Sequence, residues 1–256
     1  KLQSVLDIKL LGTDDDLDRI QLLEELAALS SSELNEPSKA FDYMAAAIKV
    51  SAQDAERRRQ LEILADQTDR FDEAVAILAE AGEDASDPLL AVEIFQRVGF
   101  LLDERLEMPE EAIVAYERAL EENEADEDSL KALEALYERT EAYEKLAANL
   151  RQQALHGAPE MRPELLQRIG TIEEDVLGRP EQAIDAFVEL SEADPDSTEA
   201  IDALERLYTA TENWVELGEV LNRSTSMTLD PDAQIESYRR LAKVRENRLD
   251  DSAGAI

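Results

Sequence analysis

The feature that most constrains this chain is a long internal period. Gly178-Arg179-Pro180-Glu181-Gln182-Ala183-Ile184-Asp185-Ala186-Phe187 repeats the grammar of Glu107-Met108-Pro109-Glu110-Glu111-Ala112-Ile113-Val114-Ala115-Tyr116, with Pro109 and Pro180 one period apart. One period before Pro109 stands Pro37-Ser38-Lys39-Ala40-Phe41, and one period after Pro180 stands Ser252-Ala253-Gly254-Ala255-Ile256. A period of this length is the mark of a stacked repeat architecture, in which each unit buries its apolar face only against its neighbours. The 256 residues therefore set a number of units, not of domains.

Within a unit the apolar residues follow helical spacing. In the first complete unit they fall at Ile20, Leu23, Leu26, Ala27 and Leu34, then at Phe41, Met44 and Ile48, then at Leu61 and Leu64, and last at Phe71, Val75 and Leu78. Thr13-Asp14-Asp15-Asp16 is read as the capped start of the first helix, and Pro37 as the first residue of the second. Gly82 and Pro88 are read as punctuating the loop that closes the unit. One unit is thus four helices in two hairpins. The predicted fold is all-α, a solenoid of antiparallel hairpins with about 71–72 residues per four-helix unit. Residues 17–88, 89–160 and 161–232 are three such units, flanked by the end of a preceding repeat (1–16) and the start of a further one (233–256). Both termini read as cuts within a longer array.

Two columns explain the packing. Ala27, Gly99, Gly170 and Ala242 share one, where a small residue lets the next helix cross closely. Phe71, Tyr143 and Trp214 share another, and are read as core rings filling the angle between hairpins. Thr68, Thr140 and Thr211 are each followed by an acid, Asp69, Glu141 and Glu212, and the Thr or its neighbouring acid is expected to cap the helix that the ring begins.

The columns resemble tetratricopeptide repeats, the antiparallel helix pairs of about 34 residues that stack into a right-handed superhelix. Gly170, Ala183, Phe187 and Asp194-Pro195 occupy positions similar to that family's glycine, alanine, aromatic and proline, and Ala112, Tyr116 and Ala119-Leu120 match in the second unit. There are departures. Gly170 and Ala183 stand one position further apart than the family's glycine and alanine, and Glu62, Glu134 and Glu205 replace the small position in the second hairpin of each unit. The matching residues are packing residues and carry no activity over. What the resemblance implies is a concave groove, lined by the first helix of each pair, that receives a protein or peptide partner.

Offsets from the small-residue column give the groove-facing candidates: Glu24, Ala28 and Ser31; Gln96, Phe100 and Asp103; Gln167, Thr171 and Glu174; Arg239, Lys243 and Glu246. Phe100 is the apolar exception among counterparts Ala28, Thr171 and Lys243. The basic clusters Arg57-Arg58-Arg59 and Arg239-Arg240-Lys243 read as solvated helix faces.

Chemistry is bounded by what is missing. There is no Cys, which removes disulfides and thiolate catalysis, and His156 is the one histidine, set beside a helix-ending Gly157. The eight glycines form no phosphate cradle or nucleophile elbow. No enzyme, metal or cofactor is expected. With 26 basic against 61 acidic residues the net charge is −35, which disfavours nucleic acid and anionic membranes as partners. The acidity fits solubility, a saline habitat or attraction for a basic partner. The stretch Leu89 to Leu102 is broken by Glu93, Gln96 and Arg97, short of the roughly 18 apolar residues of a membrane span. The leading function is a non-catalytic protein-interaction scaffold. The alternatives are self-association through the ends of the array and a docking segment of a larger protein.

Overall fold

The computed structural model describes residues 2–227 and 231–248. Leu249 and the Ser252–Ile256 motif lie outside the described residues. The chain divides into two compact units, residues 1–136 and 137–256, and among the described residues it is all helix and turn.

The first unit holds α1 (Leu2–Leu11), α2 (Asp16–Ser32), α3 (Pro37–Val50), α4 (Ala55–Thr68), α5 (Phe71–Glu83), α6 (Pro88–Glu104), α7 (Pro109–Glu122) and most of α8 (Glu127–Arg139). Consecutive helices pack as hairpins, α2 on α3, α4 on α5 and α6 on α7. Their starts follow local chemistry. Asp15 caps α2, its carboxylate accepting from the Asp18 amide at 3.0 Å, while Asp54 and Asp87 do the same for α4 and α6. Pro37 and Pro109 open α3 and α7 at positions whose N–H would be unbonded in any helix. The core is a run of buried aliphatics from successive helices, with Leu26, Phe41, Ile48, Leu61, Leu78, Ile94 and Leu101 almost wholly enclosed.

The second unit holds the end of α8, then α9 (Tyr143–His156), α10 (Arg162–Thr171) continuing into a π-helical turn at Ile172–Val176, α11 (Pro180–Ala193), α12 (Thr198–Ala210), α13 (Trp214–Met227) and α14 (Pro231–Arg248). Leu146, Leu150, Leu166, Ile169, Phe187 and Leu204 form its core. His156 ends α9 beside Gly157, as the sequence indicates.

Among the described residues, six with left-handed backbone set the hairpin turns, and they fall in two columns. Asn35, Glu107 and Gly178 bend the first kind of hairpin, and Asp69, Glu141 and Glu212 the second. In the second kind the amides of Arg70, Ala142 and Asn213 bond back to the carbonyls of Ala65, Tyr137 and Tyr208, one helical turn and a little more behind them, as in a Schellman closure. This corrects the expected role of the threonines. The Thr68 and Thr211 hydroxyls donate to the carbonyls of Leu64 and Leu207 and so finish the helix they stand in, and the acids after them supply the turn. Gly82 also differs from expectation. It lies buried inside α5, where a Cβ would stand 3.0 Å from the Phe95 ring, and so serves close packing instead of ending the helix.

The small-residue column is confirmed in detail. A Cβ on Gly99 would stand 2.6 Å from the Tyr116 ring, and one on Gly170 2.7 Å from Phe187, so each ring lies directly on helix backbone. This geometry, hairpin after hairpin, makes the chain an all-α, tetratricopeptide-like helical repeat.

Candidate functional site

The leading helices α4 and α6 and the start of α8 place their outward residues on one face of the first unit, and two open depressions lie there. One, of about 580 Å³, is floored by Ile63, Phe71, Phe100 and Leu101 and walled by Arg59, Glu62, Asp66, Gln67, Arg97, Glu104 and Arg105. The other, of about 590 Å³, adds Ala55, Arg58, Glu93, Gln96, Tyr116, Asp128 and Ala132. They share Arg59, Glu62, Arg97 and Phe100, so the Phe100 ring borders both. Phe100 is 42% exposed and Ile63 beside it 40%.

The charges around this ring are arranged in pairs. The Arg97 guanidinium binds both oxygens of Glu62 on the preceding leading helix, with Nε to Oε1 at 2.8 Å, and stacks 4.8 Å from the centre of the Phe100 ring. That ion pair holds Arg97 above the usual arginine pKa. Arg105 lies over Phe71 at 5.3 Å and only 4.0 Å from Asp66. Burial, with Asp103 and Glu104 close by, pushes the Tyr116 phenol up.

Arg97 belongs to a column of arginines that the sequence did not reveal. Arg168 and Arg240, one and two periods further on, also reach back to the preceding leading helix, Arg240 to Glu205 in the Glu62 column and Arg168 to Glu138, one helical turn beyond Glu134. The glutamates that depart from the tetratricopeptide pattern are thus explained at Glu62 and Glu205, each 12% exposed and each holding an arginine from the next leading helix. The Arg57-Arg58-Arg59 run is likewise divided, not a solvated face. Arg57 bonds Glu24 at 2.8 Å and the Ser51 carbonyl, Arg58 is buried on Glu93 and the Ala52 carbonyl, and only Arg59 points outward.

Among the expected groove residues, Gln96 and Phe100 meet on the first-unit face, Gln96 donating to Asp126 Oδ2 at 2.6 Å. Asp103 lines neither depression. Gln167 and Thr171 meet in a third depression of about 620 Å³ in the second unit, with Glu138, Tyr143, Leu146, Glu164, Arg168 and Ile172. Glu174 is taken up by a bidentate pair with Arg206 at 2.8 and 2.7 Å. Arg239 and Lys243 are exposed on α14, Arg239 3.5 Å from Glu236.

Offsets from the small-residue column reach only the first hairpin of each repeat, so they do not bring Ile63 of α4 to this face, nor Arg59, which the sequence gives only as part of a basic run. The sequence places the ring column in the core, yet Phe71, Tyr143 and Trp214 are half-buried, Phe71 and Tyr143 line depressions, and Arg248 lies 4.5 Å over Trp214 as Arg105 lies over Phe71. An arginine at one fixed offset after the ring, Arg105 after Phe71 and Arg248 after Trp214, was the available signal.

Among the described residues no cluster of side chains could hold a metal ion, and no helix is long and apolar enough to cross a membrane. No protein-family model and no curated protein matches the chain. Among solved structures it is similar to a tetratricopeptide repeat protein from Parabacteroides merdae, at 14% identity over 92% of this chain and 89% of that one, with a TM-score of 0.38. It is also similar to the TPR2AB domain of yeast Sti1 in its pHSP90 complex, at 13% identity over 93% and 98% of the two chains, TM-score 0.33. A third is YrrB, described as a TPR protein with an unusual peptide-binding site, at 18% identity over 85% and 91%, TM-score 0.26. Superpositions this loose carry no argument about what the chain binds.

Proposed function

We propose that the protein is a non-catalytic interaction scaffold whose first-unit face, centred on Phe100, receives a segment of a partner protein. One observation carries this reading. On a chain of net charge −35, an aromatic residue stands 42% exposed where it borders two depressions, at a register position occupied elsewhere by Ala28, Thr171 and Lys243. A ring so placed, with the exposed Ile63 beside it and Phe71 below, has the form of an anchor site, where a few large side chains carry most of the binding energy. The neighbouring ion pairs fix its walls before any partner arrives, which lowers the ordering cost of association.

A photoreactive phenylalanine analogue placed at position 100 tests the assignment in extract of the source cells. A discrete protein crosslinked through one segment, and not crosslinked from the same analogue at position 171, is the expected result. Equal labelling from both positions would remove the first-unit face from consideration.

A further inference from the structure

We propose that the segment taken by the Phe71–Phe100 depression is a bulky apolar side chain set between basic residues, so that the partner presents a cationic peptide anchored by one hydrophobic group. This rests on the reading just given and names the chemistry of its ligand.

The charge that is left unspent at the depression is negative. Three arginines and three acids line it. Arg97 is tied to Glu62, Arg105 lies over Phe71 and 4.0 Å from Asp66, and Arg59 points outward with Glu56, an acid outside the depression, 3.7 Å away. Glu104 is exposed on the rim, outside these pairs.

Backbone direction adds to this. The depression lies at the C-terminal ends of both α4, through Ile63, Asp66 and Gln67, and α6, through Phe100, Leu101 and Glu104. Unbonded carbonyls there give each helix its negative pole, which favours a cation by roughly 0.3–1 kcal/mol per end. The positive pole of α5, which begins at Phe71, is offset by Asp72 and Glu73 in its own first turn. An anionic segment would meet these carbonyls and carboxylates within a field already set by 61 acids against 26 bases. A cationic one is drawn in by the same field, with the apolar floor left to hold its anchor.

The test is selection from a displayed library of random dodecapeptides on the full chain, with counterselection on Phe100→Asp and far-ultraviolet circular dichroism of each variant to verify the fold. Recovered sequences should carry one Phe, Trp, Leu or Met with Lys or Arg close by on either side. A synthetic copy of the best should lose at least tenfold in affinity with Phe100→Asp, and about threefold to tenfold with Asp66→Asn plus Glu104→Gln or on raising salt to about 0.5 M. Acidic peptides that still require Phe100 would overturn this inference and leave the interaction site standing. Peptides indifferent to Phe100, or no enrichment at all, would overturn both.

Discussion

The two units place the same register on two different surfaces. Gly99 and Gly170 both carry an aromatic ring on bare backbone, and Arg97 and Arg168 both reach back to a glutamate of the preceding leading helix. Around that shared frame the contents diverge: Phe100 against Thr171, Phe71 against Tyr143, Arg105 against Val176, and Leu102 against Glu173. Positions that touch the next helix are held by sterics and ion pairing, whereas positions facing outward are free to become a site in one unit and a polar surface in the other.

Leu102 and Glu173 make the sharpest contrast. Their carbonyls do the same work, accepting from the amides of Met108 at 2.9 Å and Arg179 at 2.7 Å to close the hairpin turn. Both residues are buried, each 7% exposed, but Glu173 Oε2 has no hydrogen-bond partner, and here the helix relaxes into the π turn. Ser30, the third member of the column, is also buried with its hydroxyl unpartnered. A column that accepts Leu and burdens two polar residues is an apolar site by physics.

Exchanging the two residues has the largest expected effect. Leu102→Glu should lower stability by about 3 kcal/mol, from lost apolar burial and an unpaired acid, while Glu173→Leu should raise it by about 1–2 kcal/mol. Chemical denaturation of both variants measures the difference, and equal effects of the same sign would break the comparison. Next comes the ring seat. Gly99→Val should destabilise by about 2–3 kcal/mol because the Tyr116 ring has to leave the backbone, and Gly170→Val should do the same to Phe187. Thermal midpoints of the two variants, compared with Gly99→Ala as the smaller insult, decide whether the two seats are equivalent.

Glu62→Gln should cost less than about 1 kcal/mol, since Arg97 is 45% exposed and the pair is screened. The same loss measured at low salt should fade at about 1 M salt. The smallest effect lies at alkaline pH. Burial raises the Tyr116 phenol, so the folded state favours its protonated form, and that stability is complete below the ordinary value of about 10 and is lost as pH rises past it. Tyr116→Phe, the residue type found at Phe187, should leave the melting temperature at pH 7 nearly unchanged and reduce its fall between about pH 9 and about pH 11.

Much of the frame was legible in the sequence because it repeats. The proline-started helices, the Asp15 cap, the small column with its rings and the hairpin order all follow from spacing. Spacing also brought Gln96 and Phe100, and Gln167 and Thr171, to their faces. It failed at Glu174, because offsets alone could not show that Arg206 of the next leading helix would claim its carboxylate. It failed at the threonines, because a hydroxyl in the last turn serves its own helix as readily as the next one. The Arg97, Arg168 and Arg240 column stayed hidden because an arginine on an exposed face reads the same whether it meets water or a neighbour's glutamate.

The central claim is that the first-unit face, and not its counterpart in the second unit, takes the partner segment. Each depression contains one isoleucine, Ile63 in the first and Ile172 in the second, so methyl-labelled isoleucine reports on both at once. Titrating a peptide selected on the intact chain should move the Ile63 methyl resonance in proportion to saturation and leave Ile172 in place. Movement of Ile172 with Ile63 unchanged would put the binding surface on the wrong unit and contradict the account.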